Sequence, residues 1–88
     1  MTEPEIEAKR LSPGDRVYVQ TRAPVARSGV YLGLLALPWD ASRRGVCLAY
    51  GTRGSVVDWY DPAHLQALEL TIPRGVLEAI ATASELRR

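Results

Sequence analysis

The chain has 88 residues, a single cysteine and a net charge of +1. That length corresponds to one domain, a single cysteine excludes an internal disulfide, and the balanced charge gives no strong argument for nucleic acid. The first ten residues lack the apolar segment of a secretory signal, and no apolar run approaches the length of a membrane span. The composition therefore predicts a cytoplasmic protein without a cofactor, a metal or a membrane contact.

In chain order, residues 1–10 are charged and contain a proline, which predicts a flexible N-terminal arm, with a single helical turn as the alternative. The turn residues Pro13, Gly14 and Asp15 follow. Alternating β-branched and aromatic residues then predict five strands, at Arg16–Thr21, Val30–Leu37, Val46–Tyr50, Ser55–Tyr60 and Gln66–Leu70. Gly33 lies inside the second of these strands and indicates a bulge or a sharp bend.

The connections between the strands complete this prediction. "GTRG" is typical of a tight hairpin, and "DPAHL" of a short 3-10 turn in which Asp61 acts as a cap. Thr71 offers an N-cap before a C-terminal helix that starts at about Arg74. Strands this short close into a small bent barrel more readily than they form two full sheets. The predicted fold is all-β: a five-stranded barrel over residues 11–70 and a helix within 71–88.

The order of strands and loops resembles the small β-barrels of the Src-homology-3-like type. The resemblance rests on "PGDRVYV", "GVYLG", "GTRG" and "DPAHL", and it covers about Leu11 to Leu70. It implies this fold, and no particular activity. "GDRV", "GVYLG" and "GSV" are also similar to the type II dihydrofolate reductases. At the places where that family carries its functional lysine and glutamine, this chain has Val19 and Val57, so the resemblance does not imply the enzyme.

Cys47, His64 and Asp58 raise the question of a nucleophile with its base and orienting carboxylate. Cys47 stands in mid-strand with no nucleophile signature around it, and a lone cysteine is usually a small packed thiol. One histidine and scattered carboxylates do not make a metal site. We therefore predict no catalytic residues.

Arginines concentrate in the loops. Arg22 and Arg27 lie in the first loop and Arg43 and Arg44 in the second, and these loops are expected at the same edge of a barrel. A basic and aromatic face would follow, composed of Arg22, Arg27, Arg43, Arg44, Tyr18 and Trp39. Such a face suits nucleic acid, or an acidic or proline-rich peptide; solvated loop charge is the alternative.

The strands carry apolar residues on both faces. The predicted core consists of Val17, Val19, Leu32, Leu34, Val46, Leu48, Val57 and Trp59. The opposite face is too apolar to stay in water, unless the assignment of faces is wrong by one residue. Together with the helix it gives a predicted partner interface of Tyr31, Leu35, Leu37, Val56, Tyr60, Val76 and Ile80. The predicted function is a non-catalytic binding or regulatory module that acts through protein–protein interaction, including self-association, with nucleic-acid binding as the alternative.

Overall fold

Antiparallel strands dominate the computed structural model, which describes residues 1–23, 26–72 and 74–86. The strands are β1 Arg16–Thr21, β2 Arg27–Leu37, β3 Asp40–Tyr50, β4 Val56–Tyr60 and β5 Leu65–Leu70. The helices are α1 Glu3–Ala8 and α2 Arg74–Leu86, and short 3-10 turns occupy Thr52–Gly54 and Pro62–His64. The predicted all-β class is confirmed, and all five predicted strands are present. β3, however, begins at Asp40 and not at the predicted Val46, so most of the predicted second loop is strand.

The strands form one sheet in the order β4-β3-β2-β1-β5. The predicted closure into a barrel is not observed: within the described part of the chain, β4 pairs with β3 and β5 pairs with β1, so both remain edge strands. A 3-10 turn separates β4 from β5. Pro62 has no amide hydrogen to donate, and the Asp61 carboxylate accepts the amide hydrogen of Ala63 at 3.0 Å, which turns the backbone out of a ladder.

The core lies on one face of the bent sheet. Its buried members are Ile6, Val17, Val19, Tyr31, Val46, Leu48, Leu65 and Leu68. Ile6 comes from the segment that was predicted to be a flexible arm. That segment instead forms α1, whose Thr2 cap accepts the amide hydrogen of Glu5, and Ile6 is only 2% exposed. This helix is held on the sheet by Ile6 in the core and by Arg44, which donates to Glu3 and Glu7.

At two places in the ladder, residues lie on the opposite face of the sheet from the one predicted. At the bulge between Tyr31 and Gly33, Leu48 is opposite Tyr31 while Cys47 is opposite Gly33, whose φ of 141° suits glycine. Tyr31 therefore packs in the core, 5% exposed, and is not an interface residue.

A similar exchange occurs in β4. The loop from β3 spans residues 51–55, so Val46 is opposite Tyr60 and Leu48 is opposite Asp58. Tyr60 packs against the core, whereas Val57 and Trp59, both predicted core residues, face the other way. Since side chains alternate along a strand, a loop of different length turns the whole strand over.

Leu37, another predicted interface residue, is buried as well, at 1% exposure. It lies at the end of β2, beside the backbone of Gly45 in β3. A Cβ atom at Gly45 would lie 2.3 Å from the Leu37 Cδ2 atom, so the missing side chain provides the space that Leu37 fills. Leu37 is thus unavailable to a partner.

Helix α2 contrasts with the sheet. It begins at Arg74 as predicted, and the Thr71 hydroxyl before it donates to the carbonyl oxygen of Arg16 at 3.0 Å. The helix residues whose side chains the structure describes, 75, 76 and 78–85, are all solvent-exposed, and the molecule measures 46 Å along its longest axis against 27 Å along the other two. Of the apolar stripe predicted on this helix, the side chains of Leu77 and Leu86 lie outside the described part.

Candidate binding surfaces

The arginines that were predicted to lie in two neighbouring loops are at opposite ends of β2, and Arg27, Arg43 and Arg44 lie in strands. Arg22 and Arg27 stand where β2 begins, while Trp39 belongs to the turn after β2 ends. An 11-residue strand spans roughly 30 Å, so the first and second loops do not flank one edge. The single basic and aromatic face predicted from the sequence is therefore not formed. That prediction assumed a loop arrangement that a simple antiparallel ladder does not have.

Acidic partners occupy two of these arginines. Arg43 pairs with Asp61, and Arg44 donates to Glu7 at 2.6 Å and to Glu3 at 3.3 Å, both on α1. The hydrogen bond that Arg44 donates to Glu7, followed by the one it donates to Glu3, raises the pKa of Arg44. Arg43 and Arg44 therefore hold the turn and α1 in place, and much of their charge is neutralised.

Arg27 belongs to a polar group on the core face of the sheet edge. Its guanidinium lies 4.9 Å from the ring centroid of Tyr50, whose hydroxyl donates to the Asp58 carboxylate. That hydrogen bond is the main reason why the pKa of Tyr50 is raised. The Tyr60 hydroxyl beside them is buried and makes no hydrogen bond within the described residues. Asp58 is thus a partner of Tyr50, and not of a catalytic histidine.

Cys47 is buried and unpaired with another cysteine, and its burial raises the pKa of the thiol. A raised pKa disfavours the thiolate that nucleophilic chemistry requires. His64 ends the 3-10 turn on the exposed surface. The described residues contain no group of three or more histidine, cysteine or carboxylate side chains placed to hold a metal ion.

An apolar patch covers the face of the sheet opposite to the core. Cys47 is opposite Trp59, Ala49 is opposite Val57, and Gly45 is opposite Leu35 in the ladder, which places them on this face. Leu35 is 44% and Val57 49% exposed, and Trp59 is half-buried. We call Tyr18, Leu35, Val57 and Trp59 the outer sheet patch. The sequence prediction found Tyr18 and Leu35 on this face but missed Val57 and Trp59.

A second apolar surface runs along α2. Val76 and Ile80, four residues apart on one side of the helix, are 48% and 55% exposed. Both were predicted as interface residues, and both remain accessible. Val56 is accessible too, but it is opposite Tyr50 and so lies on the core side of the sheet edge.

No family model, curated protein or solved structure gives a significant match to this chain. Within its described part, no helix combines the length and the apolar character that crossing a bilayer requires. The functional argument therefore rests on the surfaces themselves.

Proposed function

We propose that this chain is a non-catalytic binding module that acts through protein–protein interaction, in the first place with a second copy of itself. The observation that carries the proposal is the state of α2, an amphipathic helix whose described residues are all exposed. Helices shorter than about 12–15 residues are marginal in water, because most helices in proteins are stabilised by packing of their apolar face. A helix of 13 residues in this state needs a surface to pack on.

The chain itself carries a suitable surface. The outer sheet patch is apolar, exposed and faces away from the core, and laying a helix onto an apolar surface is a common mode of recognition. In a two-fold dimer the α2 of each copy would cover the outer sheet patch of the other copy. The symmetry would produce this contact two times, so the helix and the patch of both copies would be buried. Burial of 500 Å² of apolar surface is worth about 12 kcal/mol before the cost of association, on the order of 4–15 kcal/mol.

Sedimentation velocity over a range of protein concentrations tests self-association. We expect a monomer–dimer equilibrium at micromolar concentration that Ile80→Lys abolishes, because the charge would be buried without a partner. The matched control is Ala81→Lys, which adds the same charge on the side of the helix that carries Glu78 and Glu85. Leu35→Asp is expected to act like Ile80→Lys if the sheet patch is the other half of the contact.

A parent protein that stays monomeric at hundreds of micromolar would overturn self-association. An equilibrium that Ile80→Lys and Ala81→Lys weaken equally would place the contact elsewhere. Dissociation by Ile80→Lys but not by Leu35→Asp would support a contact between helices and contradict the contact with the sheet.

Nucleic-acid binding has weaker support. Arg22 and Arg27 lie at one end of β2, and Arg43 and Arg44, at the other, are engaged by carboxylates. Binding through these residues would require those ion pairs to open, and it would weaken steeply with salt. Titration of labelled oligonucleotides at two salt concentrations measures it, and we expect no saturable binding at micromolar protein.

A further inference from the structure

A polar recess opens where β2 begins and β3 ends. It has a volume of about 330 Å³ and is lined by Arg16, Ser28, Gly29, Val30, Ala49, Tyr50, Gly51, Arg53 and Gly54. Two of these residues are arginines, and none is a carboxylate. Within the described part of the chain, neither the Arg16 nor the Arg53 guanidinium has a hydrogen-bond or ion-pair partner. The recess therefore combines two uncompensated positive charges with an uncharged lining, in which Ser28 and Tyr50 are polar and Val30 and Ala49 are apolar.

The fold brings these two arginines together from distant parts of the sequence. Arg16 begins β1 and stands opposite Val30 of β2. Arg53 projects from the 3-10 turn after β3, in a left-handed backbone conformation with φ of 58°. Gly29 allows β2 and β3 to lie close together at the recess, because a Cβ atom at this position would lie 2.8 Å from the carbonyl oxygen of Ala49. No pattern along the sequence connects residues 16 and 53.

The arginines at the other end of the sheet, Arg43 and Arg44, differ from those of the recess because they are paired with carboxylates. Arg43 and Arg44 each have at least one carboxylate within reach, whereas Arg16 and Arg53 have none that the structure shows. Two like charges that line one recess repel each other, and a bound anion would remove that repulsion. A guanidinium binds phosphate through two parallel hydrogen bonds, and the Ser28 hydroxyl supplies a further donor.

We propose that this recess binds the phosphate group of a small molecule, with Arg16 and Arg53 as its ligands. The volume is at the lower end of the range of about 300–1,000 Å³ that is usual for small-molecule sites, which fits a phosphate and a short attached group. A small ligand is favoured over a nucleic-acid strand, because the recess is local and the arginines beyond β2 are already paired. The recess adjoins the outer sheet patch, because Ala49, which lines it, is opposite Val57 in the ladder. Phosphate binding is therefore tested at concentrations where the protein is monomeric.

Two-dimensional amide NMR of the full chain tests the site with inorganic phosphate and pyrophosphate as probes, at constant ionic strength. We expect saturable shifts of the amides of Gly29, Gly51 and Gly54. Arg16→Gln and Arg53→Asn are each expected to weaken binding by at least about tenfold, since a hydrogen bond to a charged group is lost. Asparagine is chosen at position 53 because it tolerates the left-handed conformation.

The matched control is Arg22→Gln, which removes the same charge from an exposed arginine that does not line the recess. Unchanged binding in this control, together with the two losses, supports the proposal; equal losses in all three variants would show unspecific attraction and overturn it. The absence of saturable shifts at millimolar phosphate also overturns it. A single-stranded oligonucleotide that shifts these amides when the small phosphates do not would assign the arginines to a nucleic-acid backbone instead. The spectra show whether each variant is folded, and Arg53→Asn, in an exposed turn, tests the site independently of the sheet.

Discussion

The two helices of this protein differ in burial in the opposite way to what their lengths and apolar content suggest. Helix α1 has six residues, begins with acidic side chains and holds a single buried apolar residue, Ile6. Helix α2 has thirteen residues and an apolar stripe, yet its described residues are all exposed. The short helix is fixed by the core and by Arg44, which donates to Glu3 and Glu7. Among the side chains of the long helix that the structure describes, none is buried in the sheet.

This difference shows that helix length and amphipathicity do not decide which helix stabilises the monomer. A short helix gains its stability from the few contacts it makes with the rest of the fold. An amphipathic helix that makes no such contacts presents its apolar stripe to a partner. We therefore assign α1 to the fold and α2 to binding, and the predictions below test this division.

Replacement of one isoleucine in each helix should give the largest difference. Ile6→Ala leaves a cavity in the core and is expected to lower the free energy of unfolding by about 2–5 kcal/mol. Ile80→Ala, at an exposed position, is expected to change it by less than about 0.5 kcal/mol. Urea denaturation at a concentration where the protein is monomeric measures both. Similar losses in the two variants would contradict the division.

Much of the sheet could be predicted from the sequence, because local alternation and turn residues determine where a strand begins and ends. The bounds of β1 match the prediction, and Asp61 caps the predicted 3-10 turn. Helix α1 also left a signal that the prediction did not use: Thr2 and Glu5 have the spacing of a capping box.

The faces of β2 and β4 could not be predicted in the same way. The residues of "VVDWY" do not alternate between apolar and polar, so they contain no information about which face is buried. Which face of β4 is buried depends on the length of the loop before it. Which face of β2 is buried depends on the bulge between Tyr31 and Gly33. As a result Trp59 and Tyr60 exchange roles. The recess around Arg16 and Arg53 depends on contacts between distant segments and has no local signature.

The turn beside α1 should respond to pH. The amide hydrogen of Ala63, with a further contribution from Arg43, holds the pKa of Asp61 below its ordinary value. A carboxylate with a lowered pKa in the folded state stabilises the fold above its unfolded pKa of about 3.9, and this stabilisation is lost as the pH falls through the folded value. Asp61→Ala is expected to cost about 1 kcal/mol at pH 7 and to show a weaker acid dependence.

The comparison of urea midpoints at neutral and acidic pH gives the result, with Asp61→Asn as the matched variant. Asparagine retains an oxygen for the Ala63 amide hydrogen but loses the charge that pairs with Arg43. We expect it to lie between the parent and Asp61→Ala at neutral pH. An acid dependence that is equal in the parent and in Asp61→Ala would show that Asp61 is not its source.

The contact between α1 and the sheet should be measurable as a coupling. Arg44 and Glu7 are both about half exposed, and pairs of this kind contribute little to stability because solvent screens them. A double-mutant cycle with Arg44→Ala and Glu7→Ala is expected to give a small favourable coupling, which decreases at high salt. The same cycle with Glu5, on the same helix but without a bond to Arg44, should give none. Equal couplings for Glu7 and Glu5 would show that Arg44 senses the overall negative charge of the helix and not a specific ion pair with Glu7.

Deletion of residues 74–88 should have the smallest effect on the monomer and the most informative one. Because the described residues of α2 are all exposed, the free energy of unfolding of the monomer is expected to stay within about 0.5 kcal/mol of the parent value. The concentration dependence of the melting temperature, which self-association produces by mass action, should disappear at the same time. Calorimetry at several protein concentrations distinguishes the two effects. A truncated chain that is destabilised even at high dilution would show that α2 packs on its own sheet in solution. In that case the outer sheet patch would be covered within one chain, and neither apolar surface would require a partner.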